Sequence, residues 1–286
     1  MARLEYADKS EVLARLDESI RYCNSHRDNV QDIFDHQVEE RINKSSRPDD
    51  YEVRSMEMRS LFPVITDPDT SGFIPTIKIK QFEMSLGHHD FVELWLSKWI
   101  DKFLKAWESL PSERQAKPKS AVTDYALITM VASHAGSEDK AREWARIHNL
   151  FMSAENNGGN LLEEYIASKV APFGWIWCRG QILTAVDLCN ESCTSFVQIK
   201  NKWNTENSSG KGFRESRRAP VWYRISSSKS RAAATMCWPE LVEIIRAGSS
   251  ENSMPVPDDL LTEEDYLSFI RRVSQANMRL ITGEEL

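Results

Sequence analysis

The sequence predicts an α/β chain of the α+β kind, with a mostly helical N-terminal half followed by a helix–sheet–helix C-terminal half. Apolar residues in the first 60 positions recur every three or four places among charged neighbours, the spacing of a helix face. Between residues 175 and 200 short apolar, partly β-branched runs alternate with turn residues, which is the texture of strands. Helical spacing then returns after Cys237.

Leu4, Val12, Leu13, Leu16 and Ile20 open the helical region, and Val30, Ile33, Phe34, Val38 and Ile42 continue it to a break at Ser45-Ser46-Arg47-Pro48. Residues 66–75, rich in Pro, Asp, Thr and Gly, read as a loop, and Ile77-Lys78-Ile79-Lys80 alternates like a short strand. Residues 91–110 form a strongly amphipathic helix through Leu94, Trp95, Trp99, Ile100, Phe103, Leu104 and Trp107. Its tryptophans are assigned to core rather than to base stacking. Helices follow at 123–135 and 138–152. Asn156-Asn157-Gly158-Gly159-Asn160 is read as the stop of the second and the N-cap of a separate helix at 161–170. Residues 175–178, 181–189 and 194–200 are expected to be consecutive strands of a meander, with a fourth strand at 221–225. Helices at 237–247 and 261–280 complete the chain, the last capped by Thr262 with Asp265 three places on. The expected division is a helical region at 1–150 and a second region at 151–286.

The 286 residues, 41% hydrophobic and 28% charged, are enough for one large core or two modest ones. No apolar run approaches the ~18 residues a bilayer-spanning helix needs. Residues 1–20 are charged throughout and do not read as a signal or transit peptide, so a cytoplasmic location and no membrane partner are expected. Cys23, Cys178, Cys189, Cys193 and Cys237 are an odd, scattered set, in keeping with reduced thiols. Cys189 and Cys193 lack a second pair at zinc-ligand spacing.

Net charge is −7, but it is unevenly spread. Residues 200–231 hold nine basic side chains against two acidic ones, a segment of +7, while the remainder carries −14 from 27 basic and 41 acidic residues. An acidic body with one basic segment focuses a polyanion on that segment. A solvated basic loop has the same composition.

The chemistry-bearing pattern is Ala185-Val186-Asp187-Leu188-Cys189, a turn at Asn190-Glu191-Ser192-Cys193, then Ser195-Phe196-Val197-Gln198-Ile199-Lys200. Alternation along the second strand puts Gln198 and Lys200 on one face with Phe196, and Val197 and Ile199 on the other. A lysine at the end of an apolar strand needs a partner, and Asp187 on the adjacent strand is the candidate. Asp187 can hold a hard divalent cation, with the Gln198 carbonyl as a neutral ligand beside it. Such an ion lowers the pKa of bound water, and Lys200 can orient that water and stabilise charge on the phosphorane. A surface hairpin with an Asp–Lys ion pair fits the same spacing. Upstream, Glu163 lies at the margin of an apolar stripe and can add a metal or water contact, whereas Glu164 fits a solvated face. Downstream, Asn201, Lys202, Asn204, Asn207, Ser208, Ser209 and Lys211, with Arg214, Arg217 and Arg218, are side chains suited to base edges and phosphates.

Asp187…Gln198-x-Lys200 after a helix carrying a Glu resembles a variant of the PD-(D/E)xK nuclease core. A longer series is more specific. It comprises Ala154-Glu155-Asn156, Gly159-Asn160-Leu161-Leu162-Glu163-Glu164-Tyr165, Gly174-Trp175, Ala185-Val186-Asp187, Gln198-Ile199-Lys200-Asn201-Lys202, and Asn204 to Ser209. This series is similar to type II restriction endonucleases of the SinI kind over roughly residues 148–225. The resemblance implies a mixed β-sheet nuclease core flanked by helices, in 151–286. It also implies Mg²⁺-assisted hydrolysis of double-stranded DNA at a short palindrome of the GGWCC or GGNCC type, a homodimer, and a cognate DNA methyltransferase. By position Asp187 becomes the metal ligand and Lys200 the catalytic lysine. Gln198 stands where most of the superfamily has Glu or Asp, and Val186 where it has Pro. Either Glu163 or Glu164 is then left to supply the missing carboxylate.

Two other readings compete: a non-catalytic sequence-specific DNA-binding protein, and a repair or structure-specific nuclease. His88-His89-Asp90 offers metal-ligand chemistry, but neighbours on a helix or strand point apart. Ser208-Ser209-Gly210-Lys211-Gly212 lacks the first glycine of a phosphate loop and opens no helix.

Overall fold

A computed structural model describes residues 5–26, 29–44, 50–116, 124–202, 219–227, 234–250 and 254–282. Four helices open the chain: α1 (Lys9–Ser25), α2 (Val30–Ile42), α3 (Tyr51–Leu61) and the short α4 (Pro63–Thr66). The first is fixed by a capping box between Asp8 and Glu11, the second by the Asn29 side chain on Gln31 N. Helices α1 and α2 pack on α5 (His88–Trp107), in which Phe91, Trp95, Trp99, Ile100 and Phe103 are fully buried, and α3 packs on α2 and α4. Residues 77–80 do not form the expected strand; they contribute one isolated bridge, Tyr6 to Lys80.

Helices α6 (Tyr125–Ala135) and α7 (Glu138–Val170) form a hairpin turned at Gly136, whose φ of 79° suits glycine. Helix α7 runs unbroken for 33 residues, which corrects the separate helices expected at 138–152 and 161–170. Local propensity is overridden by distant contacts: Ser153 Oγ donates to Ile281 O (2.7 Å) and Asn157 Nδ2 to Leu280 O (2.6 Å).

Five strands make one mixed sheet in the order β1-β2-β3-β4-β5: β1 (Trp175–Trp177), β2 (Leu188–Asn190), β3 (Phe196–Lys202), β4 (Val221–Ser227) and β5 (Ala234–Met236). The first three are the expected antiparallel meander, β3 and β4 are parallel, and β4 and β5 antiparallel. The strand expected at 181–189 shrinks to 188–190, because the backbone before it takes left-handed conformations at Gly180, Gln181 and Ala185. Three helices close the fold: α8 (Trp238–Gly248), α9 (Glu263–Ala276) and α10 (Arg279–Thr282). Thr262 caps α9 by accepting from Asp265 N, as its spacing predicts.

The sheet is covered on both faces. Ile176, Cys189 and Phe196 share a core with α1–α5, while Trp177, Leu188, Val197, Ile199 and Trp222 share another with α7, α8 and α9. Register explains the split: Ile176 pairs with Cys189 and Cys189 with Phe196, whereas Leu188 faces Val197 and Ile199 faces Trp222. Gln198 and Lys200 therefore lie on the Phe196 face, at the end of β3 that the N-terminal helices leave open.

Candidate active site

Alternation along β3 is as the sequence predicts: Val197 and Ile199 are buried, Gln198 and Lys200 half-buried. Burial of both apolar residues forbids a one-residue slip, which would turn every side chain to the wrong face. Asp187 sits just before β2. Its backbone is held at both ends, with its N–H donating to Val197 O (2.9 Å) and its carbonyl accepting from Cys178 N (2.9 Å). Its Oδ2 accepts from Ile199 N at 2.6 Å, fixing the carboxylate between Gln198 and Lys200.

Asp187, Gln198, Lys200 and Glu163 line one cavity of about 490 Å³, with Asn160, Trp177, Arg114 and Lys102 also in its wall. Helix α7 delivers Glu163, β1 delivers Trp177, and the turn after α5 delivers Arg114. Burial pushes the Glu163 carboxyl up to about 8, the Asp187 charge adds to this, and Lys200, the Trp177 indole and Arg114 partly offset it. Burial likewise raises Asp187, against the Ile199 N–H and Lys200. Lys200 thus favours the charged form of both acids, yet no ion pair within 4 Å closes on its ammonium among the described residues. The simple Asp–Lys pair expected from the sequence does not form. Two acids sharing a half-buried cavity repel each other unless a cation or a proton intervenes. A donor set of two carboxylates and an amide carbonyl is all oxygen, which suits a hard divalent cation such as Mg²⁺.

Glu164 is elsewhere. Both its oxygens accept from Ser112, from N at 2.8 Å and Oγ at 2.5 Å, bracing the turn that follows α5. The buried Arg179 guanidinium stacks on Trp107 and Trp177, 3.8 and 4.7 Å from their ring centres. Burial lowers its pKa to about 10 against the pull of Glu57, Glu164 and Asp50. Arg114 is pinned by three hydrogen bonds to Ser109, at 2.7 to 3.2 Å. Arg114 and Lys102 escaped the sequence reading because they come from 49 and more positions upstream of Glu163 with no local motif to announce them.

Of the expected DNA contacts, Asn201 and Lys202 are described. Asn201 Oδ1 accepts from Arg224 Nε at 2.8 Å, and Lys202 pairs with Glu155 at 2.7 Å. Arg224 is a correction to the basic segment: it is buried, ion-paired with Glu263, and packed over Tyr266, so its charge is spent inside the protein. Asn204, Asn207, Ser208, Ser209, Lys211, Arg214, Arg217 and Arg218 lie outside the described residues.

Elsewhere, His89, Asp90 and Glu93 bring ligand atoms within 4.8 Å of one another on α5, a closer approach than the sequence suggested. The cluster is largely solvent-exposed, and Gln37 Nε2 holds Glu93 Oε1 at 2.8 Å. All five cysteines are free thiols. No helix among the described residues is long and apolar enough to cross a membrane.

Residues 105–250, just over half of the chain, match the SinI restriction endonuclease family. The chain belongs to that family. Among its relatives, the type II restriction enzyme Eco47I of Escherichia coli is 35% identical over 177 residues, covering 60% of this chain and 70% of that enzyme. The type II restriction enzyme SinI of Salmonella infantis is 43% identical over 86 residues, covering 29% of this chain and 37% of that enzyme. The SinI-family match includes all four cavity-lining candidates, Glu163, Asp187, Gln198 and Lys200. It begins within α5, so α1–α4 lie outside it. As a SinI-family member the chain is a site-specific nuclease acting on double-stranded DNA.

Proposed function

We propose that the chain is a type II restriction endonuclease that hydrolyses double-stranded DNA at a short palindrome of the GGWCC or GGNCC type, with Mg²⁺ held by Asp187 and Glu163. The observation that carries this is the pair of half-buried carboxylates that line one cavity beside Lys200. Restriction of the relatives Eco47I and SinI supports it.

Glu163, Asp187 and the Gln198 carbonyl would hold the ion, which supplies Lewis-acid polarisation of the phosphate and an acidified water. The chain's own groups do the rest. Ile199 N–H fixes the Asp187 carboxylate, so it needs no reorganisation when the substrate arrives. Lys200, with no competing ion pair among the described residues, places its ammonium against the non-bridging phosphate oxygen and the attacking water. Arg114, held by Ser109, offers a second cation at the cavity wall to a phosphate. Lys202 exchanges Glu155 for a backbone phosphate; an exposed ion pair of this kind is worth at most ~1 kcal/mol. A palindrome is matched by a two-fold protein, so the enzyme acts as a homodimer, partnered in its host by a methyltransferase of the same specificity.

The test is Lys200→Ala. Cleavage of plasmid DNA in Mg²⁺ should fall ~10²–10³-fold, as for loss of one electrostatic group in a preorganised site, with DNA affinity kept within a few-fold. Discrete fragments from the unaltered chain separate restriction from repair-type cutting. Undiminished cleavage by the variant removes Lys200 from the site.

A further inference from the structure

We infer that the hairpin of α6 and the first half of α7 is the surface on which a second copy of this chain docks. The inference rests on the two-fold enzyme proposed above and assigns the place where its halves meet. Helix α6 has no Asp, Glu, Lys or Arg in its 11 residues, yet Ile128 is its one buried residue. The first half of α7 buries only Ala141. Between them stand Tyr125, Leu127, Met130, Trp144, Ile147 and Phe151, with Phe151 71% and Tyr125 67% exposed. Trp144, Ile147 and Phe151 follow a three-then-four spacing, and Leu127 and Met130 are three apart, so each helix carries a stripe, with Tyr125 apart from it under the Arg142 guanidinium.

Covering those six side chains removes on the order of 700 Å² from water, close to the ~800 Å² that each partner contributes to a standard interface. Monomers rarely leave so large a patch open. The charges beside the stripe choose the partner. Glu138, Asp139 and Glu143 are balanced by Lys140, Arg142 and Arg146 within the first turns of α7. A balanced face attracts neither DNA nor an anionic membrane, and it can pair with its own copy when two hairpins meet antiparallel across a two-fold axis. Two antiparallel hairpins related by a two-fold axis make a four-helix bundle, the standard way such stripes are buried. The position also serves the reaction. Glu163 lies twelve residues beyond Phe151 on the same unbroken helix, about 18 Å along its axis. Ser153 and Asn157 tie that helix to the body through Ile281 and Leu280, so docked hairpins hold the two cavities at a fixed separation.

The experiment is sedimentation equilibrium of the full chain without DNA, comparing it with Met130→Glu/Phe151→Glu and, as control, Phe82→Glu, an exposed residue outside the hairpin. The unaltered chain and the control should be dimers. The double variant should keep its far-UV spectrum and dissociate at least 100-fold more readily. In cleavage it should open plasmid DNA one strand at a time, leaving nicked circles before linear product. A double variant that dimerises as well as the unaltered chain overturns the hairpin interface while leaving the two-fold enzyme intact. An unaltered chain that is monomeric yet cuts both strands together overturns both. Should the double variant lose its helical spectrum, Trp144→Lys, judged by the same criteria, decides.

Discussion

Glu163 and Glu164 are chemically identical neighbours with opposite employment. One turns into the cavity and the other accepts two hydrogen bonds from Ser112. The difference governs how each responds to pH. The Glu163 carboxyl, pushed up to about 8, keeps a proton in the folded chain that the unfolded chain releases near its ordinary value of 4.5. Its contribution to stability is therefore complete below about 4.5 and lost as pH rises through about 8. Metal-free thermal melts of the unaltered chain should fall across that window. Glu163→Gln should flatten the fall, gaining at least ~1 kcal/mol at pH 8.5 relative to the unaltered chain while abolishing cleavage and the stabilisation given by added Mg²⁺. Parallel pH curves for the two proteins would remove Glu163 from the buried pair. Sequence left the choice between the two acids open for a physical reason: adjacent helical positions point about 100° apart, and what selects between them is Ser112, 52 residues upstream. Asp187 and Lys200 were legible because alternation on a strand with two buried neighbours admits one register.

At the scale of elements, α7 carries the sharpest departure from local expectation. Asn156-Asn157-Gly158-Gly159-Asn160 has the composition of a helix stop, yet neither glycine has positive φ, and a Cβ on either meets nothing within 4 Å. Gly158→Ala and Gly159→Ala should each raise stability by about 0.5–1 kcal/mol in thermal or urea melts. A loss instead would mean a left-handed break there. Gly248, at the end of α8, should behave oppositely. A Cβ would fall 2.4 Å from Trp175 Cζ2, so Gly248→Ala should cost about 1–3 kcal/mol by the same melts. The meander was readable from its turn residues and β-branched runs. The parallel pairing of β3 with β4 was not, because the residues between them carry no periodic pattern.

At the scale of the molecule, the N-terminal helices are not an appendage. Their core runs without a break into Ile176, Ile182, Leu183, Val186, Cys189 and Phe196. Trp99 Nε1 donates to Ile182 O at 2.9 Å and Lys102 Nζ to Gln181 O at 3.0 Å, so α5 holds the left-handed segment that leads to Asp187. A Cβ at Gly180 would collide with Lys102 O at 2.8 Å, which shows how closely the two approach. Trp99→Ala should lower stability by ~3–5 kcal/mol in chemical denaturation and weaken cleavage beyond what the stability loss explains, since the Asp187 segment loses its tie. Cleavage unchanged in the population that stays folded would show that the segment holds its shape alone. The α/β class and the helical N-terminal half could be read from spacing. The dependence of the site on α5 could not, since no periodicity reports which side chains 80 residues apart will touch.

That tie between α5 and the Asp187 segment has a consequence for how the protein is made. Translation delivers α5 long before β2 and β3, so the support waits for the strands it will hold. A chain interrupted before Asp187 carries the support without Asp187 and Lys200, and a chain started after α5 carries the strands without their brace. Neither product has every wall of the cavity, since Lys102 comes from α5 and Asp187, Gln198 and Lys200 from the sheet region. For an enzyme whose substrate is the cell's own kind of polymer, the power to cut arrives only with the finished fold.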